Sequence, residues 1–312
     1  MNEIFQNIYY SLKPFISRKW LLFLRRKYVM ELKLFNSFRW PILESAAAPP
    51  VQWTGWPDGK QFAFVLTHDV DTQKGLQKCR QLINLEEKLG FRSSFNFVPE
   101  DYVLDETLRD YLVEHGFEVG VHGLKHNGNM FRSKSAFMEQ ADKINHYLNT
   151  WKAAGFRAPS MYHNLEWIQH LDIRYDSSTF DTDPFEPQPD GAGTIFPYLF
   201  RKDTGRRGYI ELPYTLPQDF TLFILMKEKN INIWKKKLDW IFRKGGMALV
   251  NSHPDYMYFE TGQSSDEEYP SRFYEEFLDY VKSNYEGFYW HALPKEVASF
   301  WESRPLREGS NT

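Results

Sequence analysis

Cysteine is almost absent from this sequence. Of its 312 residues only Cys79 is one, which excludes an intrachain disulfide and a cysteine-rich zinc site. Cys79 stands at helical spacing with Leu76, Leu82 and Ile83, the pattern of a buried small hydrophobe rather than a nucleophile. Long apolar runs are missing too. No stretch of about 18 uncharged apolar residues exists, so no membrane-spanning helix is expected. The N-terminus lacks a signal-peptide pattern: the apolar run Trp20 to Leu24 is short and meets Arg25, Arg26 and Lys27. Charge of one sign is not in excess either. A net charge of -3 argues against a nucleic-acid partner held by phosphate neutralisation. There is no internal repeat and no long low-complexity segment. What is present is 42% hydrophobic residues, enough for a full core in one large barrel or two modest domains.

The strongest local signal is Phe62 to Asp71, FAFVLTHDVD. Its first half is uncharged and apolar, as in a strand covered on both faces of a parallel sheet. Side chains alternate along an extended chain, so Asp69 and Asp71 point one way and His68 and Val70 the other. Two carboxylates thus project side by side from the carboxyl end of a buried strand, where open α/β sheets and barrels place their chemistry. A metal ion between them would relieve their repulsion; an N-cap and turn is the simpler alternative.

After this strand, strand and helix patterns alternate. Helices are expected over Gly75–Leu89, from Asp105 to Gly116, and over Ser135–Ala153, Ile233–Arg243 and Pro270–Lys282. Strands are expected over Ser93–Val98, Phe117–Val121, Phe156–Pro159, Ile173–Ser177, Tyr209–Leu212 and Met247–Ser252, with a last strand and helix in Tyr289–Trp301. So many strand–helix units imply an α/β fold with a closed or nearly closed parallel barrel. Phe180 to Gly205, rich in proline, reads as a long loop or irregular hairpin over the barrel mouth. Residues 1–50 form a basic extension with interleaved aromatics, 51–304 the barrel and 305–312 a tail. The aromatics of the extension hold no clean face, which favours a helical extension packed outside the barrel. Peripheral contact of residues 1–40 with an anionic membrane is the other reading. Ala46 to Gly59 reads as the linker, with Trp53 and Trp56 pinning it to the barrel.

Further polar groups end the other strands. His122 and His126 stand four apart in VHGLKH; a helical turn there would put both rings on one side, able to share an ion. One carboxylate and two imidazoles leave a zinc-like ion an open position for water, and the second carboxylate can take that water's proton. Arg157 in FRAPS and His253 in ALVNSHP end two more strands. A histidine there suits a general acid.

These motifs, in this order, resemble the polysaccharide deacetylases of the NodB-homology type, metal-dependent carbohydrate esterases with a distorted (β/α) barrel of seven to eight units. The resemblance covers Phe62 to Trp301. Thr67-His68-Asp69-Val70-Asp71 stands for Thr-Phe-Asp-Asp-Gly, His122 to His126 for His-(Ser/Thr)-x-x-His, and Arg157 to Pro159 for Arg-x-Pro. Asp176 in YDSS stands for the fourth motif, and Asn251-Ser252-His253 for Leu-x-His. The resemblance implies that Asp71, His122 and His126 hold one divalent metal, zinc by expectation. It implies Asp69 as general base, His253 as general acid, and Arg157 orienting Asp69. Asp176 would support that network or tune His253. The Ser160 backbone N–H would serve as oxyanion donor, and Asn251 or Val250 would line the acetyl pocket. The implied substrate is an N-acetylated sugar or polysaccharide of an exopolysaccharide or envelope glycan. A cyclic amide or imide, or glycan binding without turnover, are the alternatives. Departures are Val70 between the acids, which leaves base and ligand roles exchangeable, Gly123 for a hydroxyl residue, Ser160 for an aromatic, and Asn251 for leucine. The missing leader suggests the cytoplasm, at the inner membrane surface if the basic segment docks there.

Overall fold

A computed structural model describes residues 18–202, 205–260 and 265–304. The basic extension forms helix α1 (Arg18–Phe35). Its Val29 side is buried, and Arg26 ties it to the Ile224 carbonyl and to Asp266 while Lys33 pairs with Glu228. The opposite side is open to solvent: Trp20, Leu34, Phe35 and Phe38 are 61%, 78%, 75% and 72% exposed. Of the aromatics on which the expectation of no clean face rests, Phe5, Tyr9, Tyr10 and Phe15 lie outside the described residues, while Trp20 and Phe23 are both exposed. Inward and outward faces are separate, and both carry apolar residues. Residues 1–17 and the tail 305–312 lie outside the described residues.

Strand β1 (Phe62–Val70) is buried along its whole length, which explains its near-absence of polar residues before Thr67. It is followed by α2 (Gln73–Leu89), β2 (Ser94–Phe97), α3 (Glu106–Glu114), β3 (Glu118–His122), α4 (Lys134–Trp151) and β4 (Gly155–Arg157). Thr72, Asp105 and Ser133 cap the three helices through their side chains, and Gly90 ends α2 at a left-handed φ. A short α5 (Leu165–Ile168), β5 (Tyr175–Asp176), β6 (Tyr198–Phe200) and β7 (Tyr209–Glu211) come next. The last third holds α6 (Asn232–Lys244), β8 (Met247–Ser252), β9 (Met257–Tyr258), β10 (Tyr269–Pro270), α7 (Arg272–Tyr285), β11 (Tyr289–His291) and α8 (Pro294–Ser303). A π-helical turn, Phe220–Leu225, precedes α6.

Among the described residues the main sheet has nine strands, in the order β11-β1-β2-β3-β4-β5-β7-β6, with β8 also on β1. All pairs are parallel except the β6–β7 hairpin. Beyond β7, Thr215 and Leu216 donate their amides to the Leu249 carbonyl, and Thr215 Oγ1 bonds Met247 and Leu249 of β8. The sheet therefore curls into a distorted (β/α) barrel. The stretch from Phe180, expected as a loop or irregular hairpin over the barrel mouth, turns back on itself where the Ala192 and Gly193 amides donate to the Phe180 and Asp181 carbonyls, and its buried Asp181 pairs with Lys237 at 2.5 Å. Its place is a correction, since Ile195 bonds Ala46 and Met247 at the start of β8 and Phe196 packs on Trp53, both at the amino end. Trp56 donates Nε1–H to the Gly245 carbonyl at 2.8 Å, and with Trp53 it packs on Trp301 at the amino end of the barrel, away from the strand ends that carry polar groups.

Candidate metal and active site

β1 sorts its polar end by parity. His68 turns outward, where Ser252 and Glu86 hold its ring nitrogens at 2.9 and 2.8 Å. Asp69 turns inward and Asp71 follows on the same side. The Asp71, His122 and His126 side chains converge so that one ligand atom of each lies within 4.8 Å of the others. Asp71 Oδ1 is 3.3 Å from His122 Nε2 and 3.4 Å from His126 Nε2, is buried, and takes no hydrogen bond. Two ligands about 2.1 Å from one tetrahedral ion stand about 3.4 Å apart, so this donor set fits a metal of the zinc type. His122 Nδ1 lies 3.0 Å from the Arg157 carbonyl. Donation to that carbonyl fixes the tautomer and leaves Nε2 as the free lone pair. Opposing pulls act on these groups. Burial lowers His126 more than Asp71 raises it, whereas at His122 the Asp69 and Asp71 charges outweigh burial and raise it. At Asp71 burial is outweighed by the two histidines, which hold the carboxyl well below the carboxylate range.

The helical turn expected between the two histidines is absent, and this is a correction. β3 stops at His122, and Gly123 turns the chain at φ +64°. A Cβ on Gly123 would lie 2.4 Å from the Pro159 ring. Both constraints admit glycine alone, so the loss of the usual hydroxyl residue follows from the Arg-x-Pro turn packing directly on the metal loop. His126 is then held through its backbone amide, 2.7 Å from Asp101 Oδ2.

Asp69 lies beside this trio and is differently partnered. Asn96 Nδ2 donates to Oδ1 at 2.9 Å and Asn251 Nδ2 to Oδ2 at 2.8 Å. Arg157 Nη1, fully buried and without a hydrogen bond, is 3.6 Å from Oδ2. Burial would raise this carboxyl, but Arg157 and the His122 and His253 rings outweigh it and keep it low. The rest of the Arg157 guanidinium is held by Ser177 Oγ at 2.9–3.0 Å. His253 Nε2 stands 4.0 Å from Asp69 Oδ2.

Three expected roles need correction. Asp176 reaches neither His253 nor Arg157: its carboxylate accepts from the Ser178 hydroxyl at 2.6 Å and faces Glu211. The partner of His253 is Asp219, which takes Nδ1–H at 2.6 Å and the backbone N–H at 2.8 Å, and accepts from Tyr269. Val250 is sealed in the hydrophobic core, because alternation on β8 turns it away from the Asn251 side. Asn251 is fully buried and braces Asp69 rather than lining a pocket. Ser160 is half-buried at φ +55° in the turn Pro159–Met161 that packs on Gly123.

Asp255 is a further missed residue. Its carboxylate accepts from the Asp71 amide at 3.0 Å and the Thr72 hydroxyl at 2.5 Å, and burial with the Asp71 charge raises it to about 6. Gly75 makes room for it, since a Cβ there would meet Asp255 Oδ2 at 2.0 Å. Its place two residues after His253, in His-Pro-Asp, was the available signal.

No family model matches the chain, and no curated protein matches it by sequence. Solved structures do match in fold. A Mycobacterium smegmatis protein assigned as a polysaccharide deacetylase is similar with a TM-score of 0.65 and 18% identity, over 85% of this chain and 97% of its own. A Pseudomonas aeruginosa PAO1 protein assigned likewise gives 0.59 and 14%, over 81% and 95%. Puue allantoinase gives 0.60 and 13%, over 81% and 94%. The chain thus has the polysaccharide-deacetylase fold, which allantoinase shares.

Proposed function

We propose that this protein is a metal-dependent hydrolase that removes an N-acetyl group from an N-acetylated sugar. One observation carries the reading: an Asp-His-His donor set lies beside an aspartate–histidine pair whose members are 4.0 Å apart and each braced from behind. Asp71, His122 and His126 would hold the metal. A bound divalent ion supplies a polarised amide carbonyl and an acidified water. Asp69 takes the proton of the attacking water, held ionised by Arg157 and positioned by Asn96 and Asn251. The Ser160 N–H meets the negative charge that develops on the carbonyl oxygen. His253, held protonated by Asp219, gives its proton to the amine as the C–N bond breaks, leaving acetate and a free amino sugar. Metal content and acetate release, wild type beside His126→Ala, test the proposal. About one equivalent of metal, lost in the variant together with acetate release, is expected. Full activity in His126→Ala would sink it, and hydrolysis of small cyclic imides without acetate release would move it to amide-ring opening.

We infer also that α1 docks on an anionic bilayer. Its outward face carries Trp20, Phe23, Leu24, Leu34 and Phe35 in the open, with Phe38 just beyond. Lys19, Lys27 and Arg39 are exposed along the same segment against the single acid Glu31, the charge balance that suits anionic headgroups. No described helix is long and apolar enough to cross a membrane, so contact is with the surface. The protein should sediment with phosphatidylcholine vesicles containing 30% phosphatidylglycerol, added salt should weaken this, and Phe35→Ser/Phe38→Ser should abolish it. Absence of binding, or a dimer that the same substitutions dissociate, would overturn the inference.

A further inference from the structure

α1 reaches the catalytic face as well as the outside. The His253 ring lies 5.3 Å from the Tyr256 ring, and Tyr256 lies 4.8 Å from Phe220. The Arg25 guanidinium caps this row, 5.0 Å over Phe220. All three outer members are half-buried. Phe220 directly follows Asp219, the partner of His253, and opens the π-helical turn, a device common at functional sites. Arg26, next along, is fully used by the Ile224 carbonyl and Asp266. Arg25 has no hydrogen bond or ion pair among the described residues. The acid that feels its charge, Glu186, already accepts from Tyr214 at 2.7 Å and Gln218 at 2.6 Å. An unpaired, partly desolvated guanidinium at the end of an aromatic wall suits one kind of ligand. The apolar face of a sugar ring packs on the aromatics, and a phosphate or carboxylate takes the planar N–H fork.

We propose that Tyr256, Phe220 and Arg25 form a subsite for an anionic group, phosphate or carboxylate, carried by the N-acetylated sugar beside the ring being deacetylated. The N-terminal helix is then part of substrate selection. This rests on the deacetylase reading. The test compares the metal-loaded enzyme on three substrates: a neutral N-acetylhexosamine oligosaccharide, the same chain with a terminal phosphate, and the same chain with a uronic acid. Wild type should prefer one of the charged chains, and which one identifies the anion. Arg25→Gln should cut the charged-to-neutral ratio of kcat/KM by about tenfold or more, mainly through KM, and Arg25→Lys should restore part of it. Equal effects on charged and neutral chains, or none, would overturn the subsite. Calorimetric binding of the charged chains to wild type and Arg25→Gln separates the two failures. If no chain is turned over, the deacetylase reading falls. Binding of a charged chain that Arg25→Gln weakens would still uphold the subsite, and equal binding would end it.

Discussion

Asp69→Asn should keep metal near one equivalent and lower kcat for acetate release by roughly 10³, within the range lost when a general base is removed. Asp71→Asn should do something different and lose the metal itself. The two acids are two residues apart and on one face, so strand parity alone leaves their roles exchangeable. Their partners separate them. Asp71 presents a buried oxygen with no hydrogen bond to two imidazole nitrogens. Asp69 has each oxygen occupied by an asparagine N–H and a guanidinium nearby. Such a carboxylate is positioned and kept ionised but is poorly placed to give a lone pair to the same ion. Metal analysis and kcat on the two variants check the assignment. Equal metal loss in both would show that both aspartates are ligands. A melting curve on Asp69→Asn belongs with the measurement, because the new amide would face the Asn96 or Asn251 donors.

Much of this geometry was legible before the structure. β1, the strand ends and the convergence of Asp69, Asp71, His122 and His126 follow from apolar runs that stop at polar residues, because a parallel barrel gathers all carboxyl ends on one face. The choice of Asp71 as the ligand rests on the family resemblance alone. What stayed hidden depends on contacts far apart in sequence. The route from His122 to His126 is set by Pro159 pressing on Gly123, and spacing within VHGLKH carries no trace of it. Asn251 looked like a pocket residue by its place in a motif, yet β8 lies next to β1 and aims it at Asp69. Asp219 sits 34 residues before His253 in a stretch with no motif.

Asp219 is also where the largest pH effect should appear. Burial alone would depress the His253 imidazolium, but the Asp219 carboxylate outweighs burial and, with Asp69 and Asp71, lifts it to about 10 in the metal-free chain. A general acid must carry its proton when the amine leaves. Asp219→Asn should therefore lower kcat by roughly 10² or more and move the alkaline limb of kcat/KM to lower pH. The same ion pair makes a stability prediction of definite sign. A histidine raised from about 6.5 when unfolded to about 10 when folded stabilises the fold fully below the first value. That contribution fades as pH rises through the second. The stability gap between wild type and Asp219→Asn should thus be widest near pH 6 and close toward pH 10, as read by denaturant titration of the metal-free proteins. An alkaline limb left in place by the substitution would remove His253 as the acid. A stability gap that ignored pH would mean that the aspartate serves the backbone N–H of His253 and Tyr269, with the imidazole only a bystander.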